Sequence, residues 1–187
     1  AAATVAKYED SVEWVRADLS LSGGGEGHAI FDTLGAKTNA VPKYRIYARR
    51  DGSAVAAVAT AAAGCDGHKG IVHGGITALL FDNTLGWTNA VAVLADNGSL
   101  AAVLDGEPAV GAGKGGSPAR FGFTANLLVN YRAPFKNGST VEIECKVDRI
   151  EGRKRFLVGQ MTNVETGQLI ADCSSLFVIP RPSAAGG

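Results

Sequence analysis

Residues 74–94, GGITALLFDNTLGWTNAVAVL, constrain the fold of this chain more than any other stretch. From Ile76 onward the stretch is apolar on nearly every side and long enough for about five helical turns. A helix of this kind is stable only when other elements cover it, so the sequence predicts a buried central helix. Asp82 is the only charged residue between Ile76 and Ala95, and two glycines stand where the helix begins.

The rest of the chain is dominated by strand patterns. Residues 43–62 predict a hairpin whose turn contains Asp51 and Gly52. Four further stretches have strand patterns, at residues 121–135, 139–150, 153–165 and 167–180. The last three follow one another at short spacing, which predicts an antiparallel meander. One apolar helix and one antiparallel sheet together predict an α+β fold in which a curved sheet wraps around the helix.

Two segments are predicted to lie outside this core. Residues 8–20 place Val12, Val15 and Leu19 on one face at helical spacing, which predicts a short amphipathic N-terminal helix. Residues 96–120 are rich in Gly and Ala and predict a loop. Its GAGKGG matches G-x-G-x-x-G literally, but no strand precedes it, so we do not interpret it as a nucleotide-binding motif.

Composition limits the classes of function. The 187 residues are 46% hydrophobic and 19% charged, with a net charge of +0 and no block of Lys and Arg. A general nucleic-acid or membrane-surface binder needs clustered positive charge, so both classes are disfavoured, and no uninterrupted apolar run predicts a membrane span. Cys65, Cys145 and Cys173 lack metal-ligand spacing, which predicts reduced, buried thiols and no metal site.

Gly74 and Gly75 suggest a site at the start of the central helix. The first helical turn has unpaired N–H groups at the positive end of the helix dipole, and glycine lets a ligand approach them closely. Such a donor can act as an oxyanion hole, typically worth about 3 kcal/mol in a transition state. The alternative is that the glycines only allow the helix to pack closely against a strand.

Asp82 is the second candidate. A carboxylate on an apolar helix is costly unless it is paired or reaches water, so it is either a general base or nucleophile, or a structural hydrogen-bond partner. Gly74 and Asp82 are about 12 Å apart along a helix, too far to act on one reacting atom. Two antiparallel copies across a two-fold axis would bring them together. If both residues are catalytic, the spacing therefore predicts a homodimer with shared sites.

His73 and His68 are weaker candidates. His73 precedes the two glycines, and no carboxylate partner lies near it in sequence. It is either a base that takes part in the chemistry, or a residue that anchors the loop or donates on the oxyanion side.

Three motifs carry a family resemblance: GIVHGGITALLFDNTLGW, FTANLLVNYRAP and RIEGRKRFLVGQMTNVETGQLIADCSSLFV. Over about residues 42–180 the chain resembles the hotdog-fold acyl-CoA thioesterases, most of all thioesterase superfamily members 4 and 5, which are relatives of phenylacetyl-CoA-type thioesterases. The resemblance implies a hotdog domain at residues 42–180, with an N-terminal helix and linker at residues 1–41 and a tail at residues 181–187. It also implies homodimers, or dimers of dimers, with active sites at the interface.

The resemblance also implies roles for individual residues. Asp82 takes the place of the catalytic carboxylate, Gly74 that of the oxyanion-hole amide, and Thr124 that of a threonine that positions water. Asn130, Arg132 and Arg153 match positions that contact CoA, with Lys154 as a neighbouring candidate. Arg and Lys suit the CoA phosphates, although each is also an ordinary residue for a solvated turn. No separate cofactor is expected, because CoA is part of the substrate.

The expected activity is hydrolysis of medium- to long-chain fatty acyl-CoA in the mitochondrion or the cytosol. The alternative is a non-catalytic hotdog protein that binds acyl-CoA as a sensor or interaction protein. A hotdog hydratase would need a paired acid and histidine, which the sequence does not show. The long segment at residues 96–120 departs from the family pattern, and so does the absence of an asparagine before His73.

Overall fold

The computed structural model describes residues 2–17, 28–106 and 121–181. Helices are α1 (Ala2–Glu9), α2 (Gly74–Asp96) and α3 (Leu100–Leu104), with a π-helical segment at Ala29–Lys37 and a 3-10 turn at Ala63–Cys65. Strands are β1 (Trp14–Arg16), β2 (Lys43–Arg49), β3 (Ala54–Thr60), β4 (Asp66–His68), β5 (Ile71–Val72), β6 (Phe123–Tyr131), β7 (Thr140–Glu151), β8 (Lys154–Asn163) and β9 (Leu169–Val178).

Seven of these strands form one antiparallel sheet in the order β1-β2-β3-β7-β8-β9-β6, and β4 and β5 form a small separate hairpin. The central helix α2 contacts β2, β3, β6, β7, β8 and β9. The sheet therefore wraps around α2, which confirms the predicted α+β hotdog architecture. Apolar and charged side chains alternate along β7, so that one face of the strand packs against the helix. Val141, Ile143 and Cys145 are fully buried on this inner face, while Glu144 and Lys146 point outward.

The central helix is longer by two residues than the predicted 74–94 and is buried on most of its circumference. Its two fully buried threonines satisfy their own hydroxyl groups, because Thr84 donates to the Leu80 carbonyl and Thr88 to the Thr84 carbonyl, both at 2.8 Å. Thr84 and Thr88 thus enter the core without unpaired hydroxyl groups. Among the helices in the described ranges, none is long and apolar enough to span a membrane.

The predicted hairpin at residues 43–62 is confirmed as β2 and β3. In its turn, the Asp51 carboxylate accepts hydrogen bonds from the backbone N–H and hydroxyl group of Ser53. Gly52 has a φ of 78°, and a Cβ there would lie 2.4 Å from the Ala95 side chain. Glycine is therefore required both by the backbone conformation and by the close approach of the turn to the end of α2.

The predicted N-terminal helix exists, but its predicted position at residues 8–20 is wrong. The helix is α1, which ends at Glu9, and Val12 is 87% exposed, so no apolar stripe forms. Trp14 and Val15 instead belong to β1 and pair with Arg49 and Ala48 of β2. Aromatic and β-branched residues suit an open sheet edge, and that tertiary pairing overrides the helical spacing. Leu19 lies outside the described residues.

Helix α1 covers the outer face of β2 and β3. Tyr8 stacks on Tyr47 with 4.9 Å between ring centroids, and its hydroxyl donates to Glu142 at 2.6 Å. Ala17, Ile30 and Val41 join the main core. Residues before position 42 thus share the core of the hotdog domain. The predicted boundary at residue 41 remains a prediction.

The predicted meander is confirmed as β7, β8 and β9, and β6 pairs with β9 at the edge of the sheet. The loop prediction is wrong for part of residues 96–120. Asp96 still belongs to α2, and residues 100–104 form α3, because Leu100 and Val103 are buried against the core. The GAGKGG segment lies outside the described residues.

Candidate active site

The structure brings two of the predicted catalytic residues together. The Thr124 hydroxyl of β6 donates to Oδ1 of Asp82 of α2 at 2.8 Å. Asp82 is half-buried and Thr124 is exposed, so the pair stands where the apolar helix meets solvent. A carboxylate held by a charge-assisted hydrogen bond keeps its second oxygen available for another partner. This arrangement can hold and deprotonate a water molecule.

The Asp82–Thr124 pair borders a depression of about 320 Å³, which we call the acid depression. Its lining residues are Asp82, Asn83, Gly86, Trp87, Ala90, Phe121, Gly122, Phe123, Thr124 and Phe177. Asp82, Gly86 and Ala90 are spaced by four residues and so follow one face of α2 for about 12 Å. A Cβ at Gly86 would meet no atom within 4 Å, so this face leaves open space next to the carboxylate. An apolar chain can lie there.

The N-terminus of α2 presents one free donor. His73 is the N-cap: its Nδ1 accepts from the Gly75 N–H at 2.8 Å, and its carbonyl accepts from the N–H groups of Ile76 and Thr77 at 2.9 and 3.2 Å. Among the described residues, nothing accepts a hydrogen bond from the Gly74 N–H. Of the first four N–H groups in α2, the one predicted for the oxyanion hole is therefore the one left available.

His73 itself is exposed, and its Nδ1 is engaged in the helix cap. Since Nδ1 accepts a hydrogen bond, the neutral ring carries its proton on Nε2. This geometry makes His73 an anchor for the glycines, which was one of the two interpretations of the sequence. Its predicted role as a chemical participant stays a prediction.

Gly74 lies in a second depression of about 410 Å³, the glycine depression. Its lining includes His68, Thr77, Tyr131, Arg132, Pro134 and Phe135. The Tyr131 hydroxyl donates to the Gly74 carbonyl at 2.8 Å. A Cβ on Gly74 would lie 3.2 Å from the Tyr131 hydroxyl oxygen, so close packing against a strand also favours glycine here. The packing interpretation of Gly74 therefore has a structural basis, and its role as an oxyanion donor stays a prediction.

Asn130 and Arg132 meet at one carboxylate that the sequence analysis did not single out. Asp172 of β9 accepts from Asn130 Nδ2 at 2.7 Å and from Arg132 Nε at 2.6 Å. The Arg132 hydrogen bond, followed by that of Asn130, lowers the pKa of Asp172, and Asp172 in turn raises the pKa of Arg132. Arg132 remains 54% exposed, so Asp172 orients a cation whose terminal nitrogens still face solvent.

Arg153 and Lys154 lie elsewhere, at the turn between β7 and β8, and both are exposed. Arg153 donates to the Ile179 carbonyl at 2.7 Å, and Lys154 pairs with Val178 of β9. Val178 in turn pairs with Phe123, at the start of β6. These two cations are therefore near the Thr124 end of the edge strand.

The predicted site residues thus form two groups within one chain. Asp82, Thr124, Arg153 and Lys154 lie toward the start of β6, whereas His73, Gly74, Asn130 and Arg132 lie toward its end. The nine-residue strand is about 27 Å long at about 3.4 Å per residue, so one chain does not bring the two groups to a single reacting atom.

Sequence reasoning missed Tyr131, Asp172 and Asn83. The Asn83 Oδ1 atom is buried and has no hydrogen-bond partner in the described parts of the chain, and the residue lines the acid depression. Asp172 is the only charged residue of β9, which is a signal that the sequence did contain. Tyr131 gave no such signal, since an aromatic residue in a strand is common.

The chain is similar to two curated proteins named acyl-coenzyme A thioesterase THEM4. It is 31% identical to the Xenopus laevis protein over 113 residues, which are 60% of this chain and 39% of that protein. It is 28% identical to the Bos taurus protein over 112 residues, which are 60% of this chain and 35% of that protein. The chain therefore spans well under half the length of these relatives.

Solved structures agree in fold. Zebrafish thioesterase superfamily member 2 superposes with a TM-score of 0.58 at 18% identity, covering 81% of this chain and 91% of that one. The sequence model of the thioesterase superfamily matches residues 69–170, more than half of the chain. The matched range contains Gly74, Asp82 and Thr124 together with strands β6, β7 and β8. From this match and the shared architecture, the chain belongs to the thioesterase superfamily.

Proposed function

We propose that this chain hydrolyses fatty acyl-CoA to a free fatty acid and CoA. The hydrogen bond between Thr124 and Asp82 carries the proposal, because it sets a carboxylate and a hydroxyl group beside an apolar depression. Thioester hydrolysis needs a base for water next to a place for the acyl group, and this pair supplies the base. Membership in the thioesterase superfamily and similarity to proteins named acyl-coenzyme A thioesterase support the same reaction class.

In the proposed step, Thr124 and Asp82 hold one water molecule. The Thr124 proton is committed to Asp82, so the Thr124 oxygen accepts a hydrogen bond from the water. The water oxygen bonds to the thioester carbon, its proton passes to Asp82, and negative charge collects on the carbonyl oxygen. When the C–S bond breaks, the CoA thiolate leaves and takes that proton from Asp82. The Asp82 carboxylate is thereby restored for the next turnover, and the fatty acid and CoA are released.

The carbonyl oxygen requires a donor, and the free Gly74 N–H is the one we assign to it. Gly74 and Asp82 of one chain lie about 12 Å apart along α2, so the donor must come from a second copy. We therefore propose a homodimer in which each active site combines Asp82 and Thr124 of one protomer with Gly74 of the partner subunit.

The edge strand β6 supports this assembly. It carries three of the large exposed hydrophobic residues, Phe123, Leu128 and Tyr131, each 55% exposed or more. Within the described ranges this long strand pairs on one side only. Such an edge invites pairing with another strand. If two copies of β6 pair antiparallel about Leu127, Thr124 faces Asn130 of the partner subunit. The acid depression of one protomer then adjoins the glycine depression of the other.

The same pairing would also bring the two groups of candidate CoA-binding cations close together. Arg132 lies at the end of β6, whereas Arg153 and Lys154 lie near its start, so a single chain offers CoA only one of these groups at a time. Across the dimer, the two groups would flank one site. We propose that Asn130 and Arg132, oriented by Asp172, and Arg153 and Lys154 of the other protomer contact the CoA moiety.

For the acyl group we propose a medium to long chain lying along α2. The open face at Gly86 and Ala90 continues about 12 Å from Asp82, and Trp87, Phe121 and Phe177 line the depression beside it. Burial of a longer chain against these side chains would make binding more favourable with each methylene group, by about 0.8 kcal/mol when the group is fully buried. We also propose a reducing compartment, the mitochondrion or the cytosol, since Cys65, Cys145 and Cys173 are free and buried.

The first test measures CoA release from acyl-CoAs of increasing chain length with the wild type, Asp82→Asn and the control Asp148→Asn. Asp148 is an exposed aspartate on β7 that pairs with Arg149 and lines neither depression. Asp82→Asn is expected to lower kcat by roughly 10²-fold or more, the usual worth of a positioned base, while the control keeps wild-type turnover. Unchanged turnover in Asp82→Asn would overturn the mechanism.

Binding of acyl-CoA without release of CoA by the wild type would instead favour the sensor function. The shared site has its own test, in which Asp82→Asn and Gly74→Val chains are mixed. Each variant alone is expected to be inactive, whereas the mixture should regain about a quarter of wild-type activity, because half of the dimers form with one intact site. A mixture as inactive as its components would overturn the shared site.

A further inference from the structure

The two glycines that begin α2 have more intrinsic backbone freedom than the other residues at the site. Glycine has access to more backbone conformations than any other residue, so a Gly-Gly pair does not by itself hold an N–H group in one direction. An oxyanion donor must be fixed before the reaction, because reorientation during the reaction would consume the stabilisation it gives. Something outside the pair must therefore hold the backbone of Gly74 and Gly75.

The peptide group that joins Gly74 to Gly75 is held on both sides. Its carbonyl oxygen accepts from the Tyr131 hydroxyl at 2.8 Å, and its N–H donates to His73 Nδ1 at 2.8 Å. The His73 ring belongs to the same loop as the glycines and moves with it. Tyr131 belongs to β6, which is fixed by its pairing with β9, so Tyr131 is the contact that ties this peptide to the sheet.

Packing acts together with this hydrogen bond. A Cβ placed on Gly74 would lie 3.2 to 3.4 Å from the hydroxyl oxygen and two ring carbons of Tyr131, so the ring already rests against the glycine backbone. The ring limits rotation of Gly74 from one side, and the hydroxyl group fixes the plane of its carbonyl. Together they restrict rotation of the Gly74 backbone on its C-terminal side. The Gly74 N–H belongs to the preceding His73–Gly74 peptide, whose carbonyl accepts from the N–H groups of Ile76 and Thr77, so the Tyr131 contact completes the restraint on the direction of this N–H.

We propose that Tyr131 is a positioning residue for thioester hydrolysis, which aims the Gly74 N–H at the carbonyl oxygen of the substrate. The proposal rests on the proposed function for its catalytic consequence. The restraint that Tyr131 places on the Gly74–Gly75 peptide, which we call the lock, rests on the geometry alone. Tyr131 does not touch the reacting atoms. Its neighbour Arg132 donates to Asp172 instead. At this end of β6, Tyr131 would therefore position the backbone and Arg132 would contact CoA.

The test compares Tyr131→Phe, which keeps the ring and removes the hydroxyl group, with Tyr47→Phe. Tyr47 is a buried tyrosine whose hydroxyl donates to Glu9 at 3.2 Å on the outer face of the sheet. We expect Tyr131→Phe to lower kcat roughly fivefold with KM within twofold, the size expected for one neutral hydrogen bond. Affinity for a thioether analogue of acyl-CoA, which has no carbonyl oxygen, should not change. Tyr47→Phe should leave kcat and KM unchanged.

A second readout does not depend on activity. The exchange of the Gly75 amide hydrogen, measured by NMR, should become several times faster in Tyr131→Phe and stay at the wild-type rate in Tyr47→Phe. An unchanged Gly75 exchange rate would overturn the lock, whatever the activity. If exchange accelerates but the wild type hydrolyses no acyl-CoA, the lock stands and the proposed function fails. Loss of affinity for the thioether analogue would make Tyr131 a CoA contact and overturn the positioning role.

Discussion

Replacing Thr124 with valine removes one hydroxyl group while keeping the volume and branching of the side chain. The structure gives this hydroxyl one described partner, Oδ1 of Asp82, at 2.8 Å. A hydrogen bond to a charged group is worth about 1.5–3 kcal/mol, and each 1.36 kcal/mol lost from transition-state stabilisation slows a reaction tenfold. If the bond acts fully in the transition state, Thr124→Val should lower kcat roughly 10- to 150-fold.

The assay is steady-state CoA release at saturating acyl-CoA, with Thr124→Ser as the matched control. Serine keeps the hydroxyl group, so Thr124→Ser should retain most of the activity. Because Thr124 is exposed, neither variant should change the free energy of unfolding by more than about 0.5 kcal/mol. Turnover of Thr124→Val within twofold of the wild type, in a folded protein, would refute the idea that this hydroxyl group holds the attacking water.

Gly86→Leu should fill part of the open face, because a Cβ there meets no atom within 4 Å, and it should lower kcat/KM for long-chain relative to short-chain acyl-CoA. An unchanged ratio would mean that the acyl chain lies elsewhere. Asp172→Asn should raise KM severalfold by releasing Arg132, with kcat unchanged. Since the folded pKa of Asp172 lies below its ordinary 3.8, its stabilising contribution is present above about pH 4 and is lost as the pH falls through the folded pKa. Urea unfolding should therefore show a wild-type advantage over Asp172→Asn at pH 5 that shrinks toward pH 2. Gly159→Ala should destabilise the fold by about 1–3 kcal/mol, because its Cβ would lie 2.6 Å from the Cys145 sulfur; a melting temperature equal to the wild type would mean that the sulfur moves aside freely.

The central helix and the strands after it were predictable because each has an internal period. The apolar stretch at residues 74–94 could be stable only when buried, and the alternation of β7 could fit only one face against that helix. The local pattern gave a wrong prediction at residues 8–20, where the helical spacing of apolar residues predicted a helix. Part of this segment instead forms a strand at the edge of the sheet. Pairing of Trp14 and Val15 with β2 decided that segment.

For the candidate site, the sequence supplied the residues but not their grouping. Asp82 was conspicuous as the one acid of an apolar helix, and the glycines were conspicuous at its start. The bond between Thr124 and Asp82 joins residues 42 positions apart, and no local pattern specifies such a contact. Tyr131 escaped notice for the same reason, since its partner lies on α2. Asp172 was marked in the sequence as the only charged residue of β9, but its contacts with Asn130 and Arg132 were not.

The sequence by itself determined the layer architecture, the buried helix and the chemical types available to a site, because burial and backbone periodicity are properties of consecutive residues. Only the tertiary structure decided that Asp82 and Gly74 lie toward opposite ends of β6 and that Asp172 orients Arg132. It also decided that one N–H group in the first turn of α2 has no acceptor among the described residues. Each of these features depends on contacts between residues that are remote in sequence. They depend on strand order and register, which emerge only when the sheet closes around the helix.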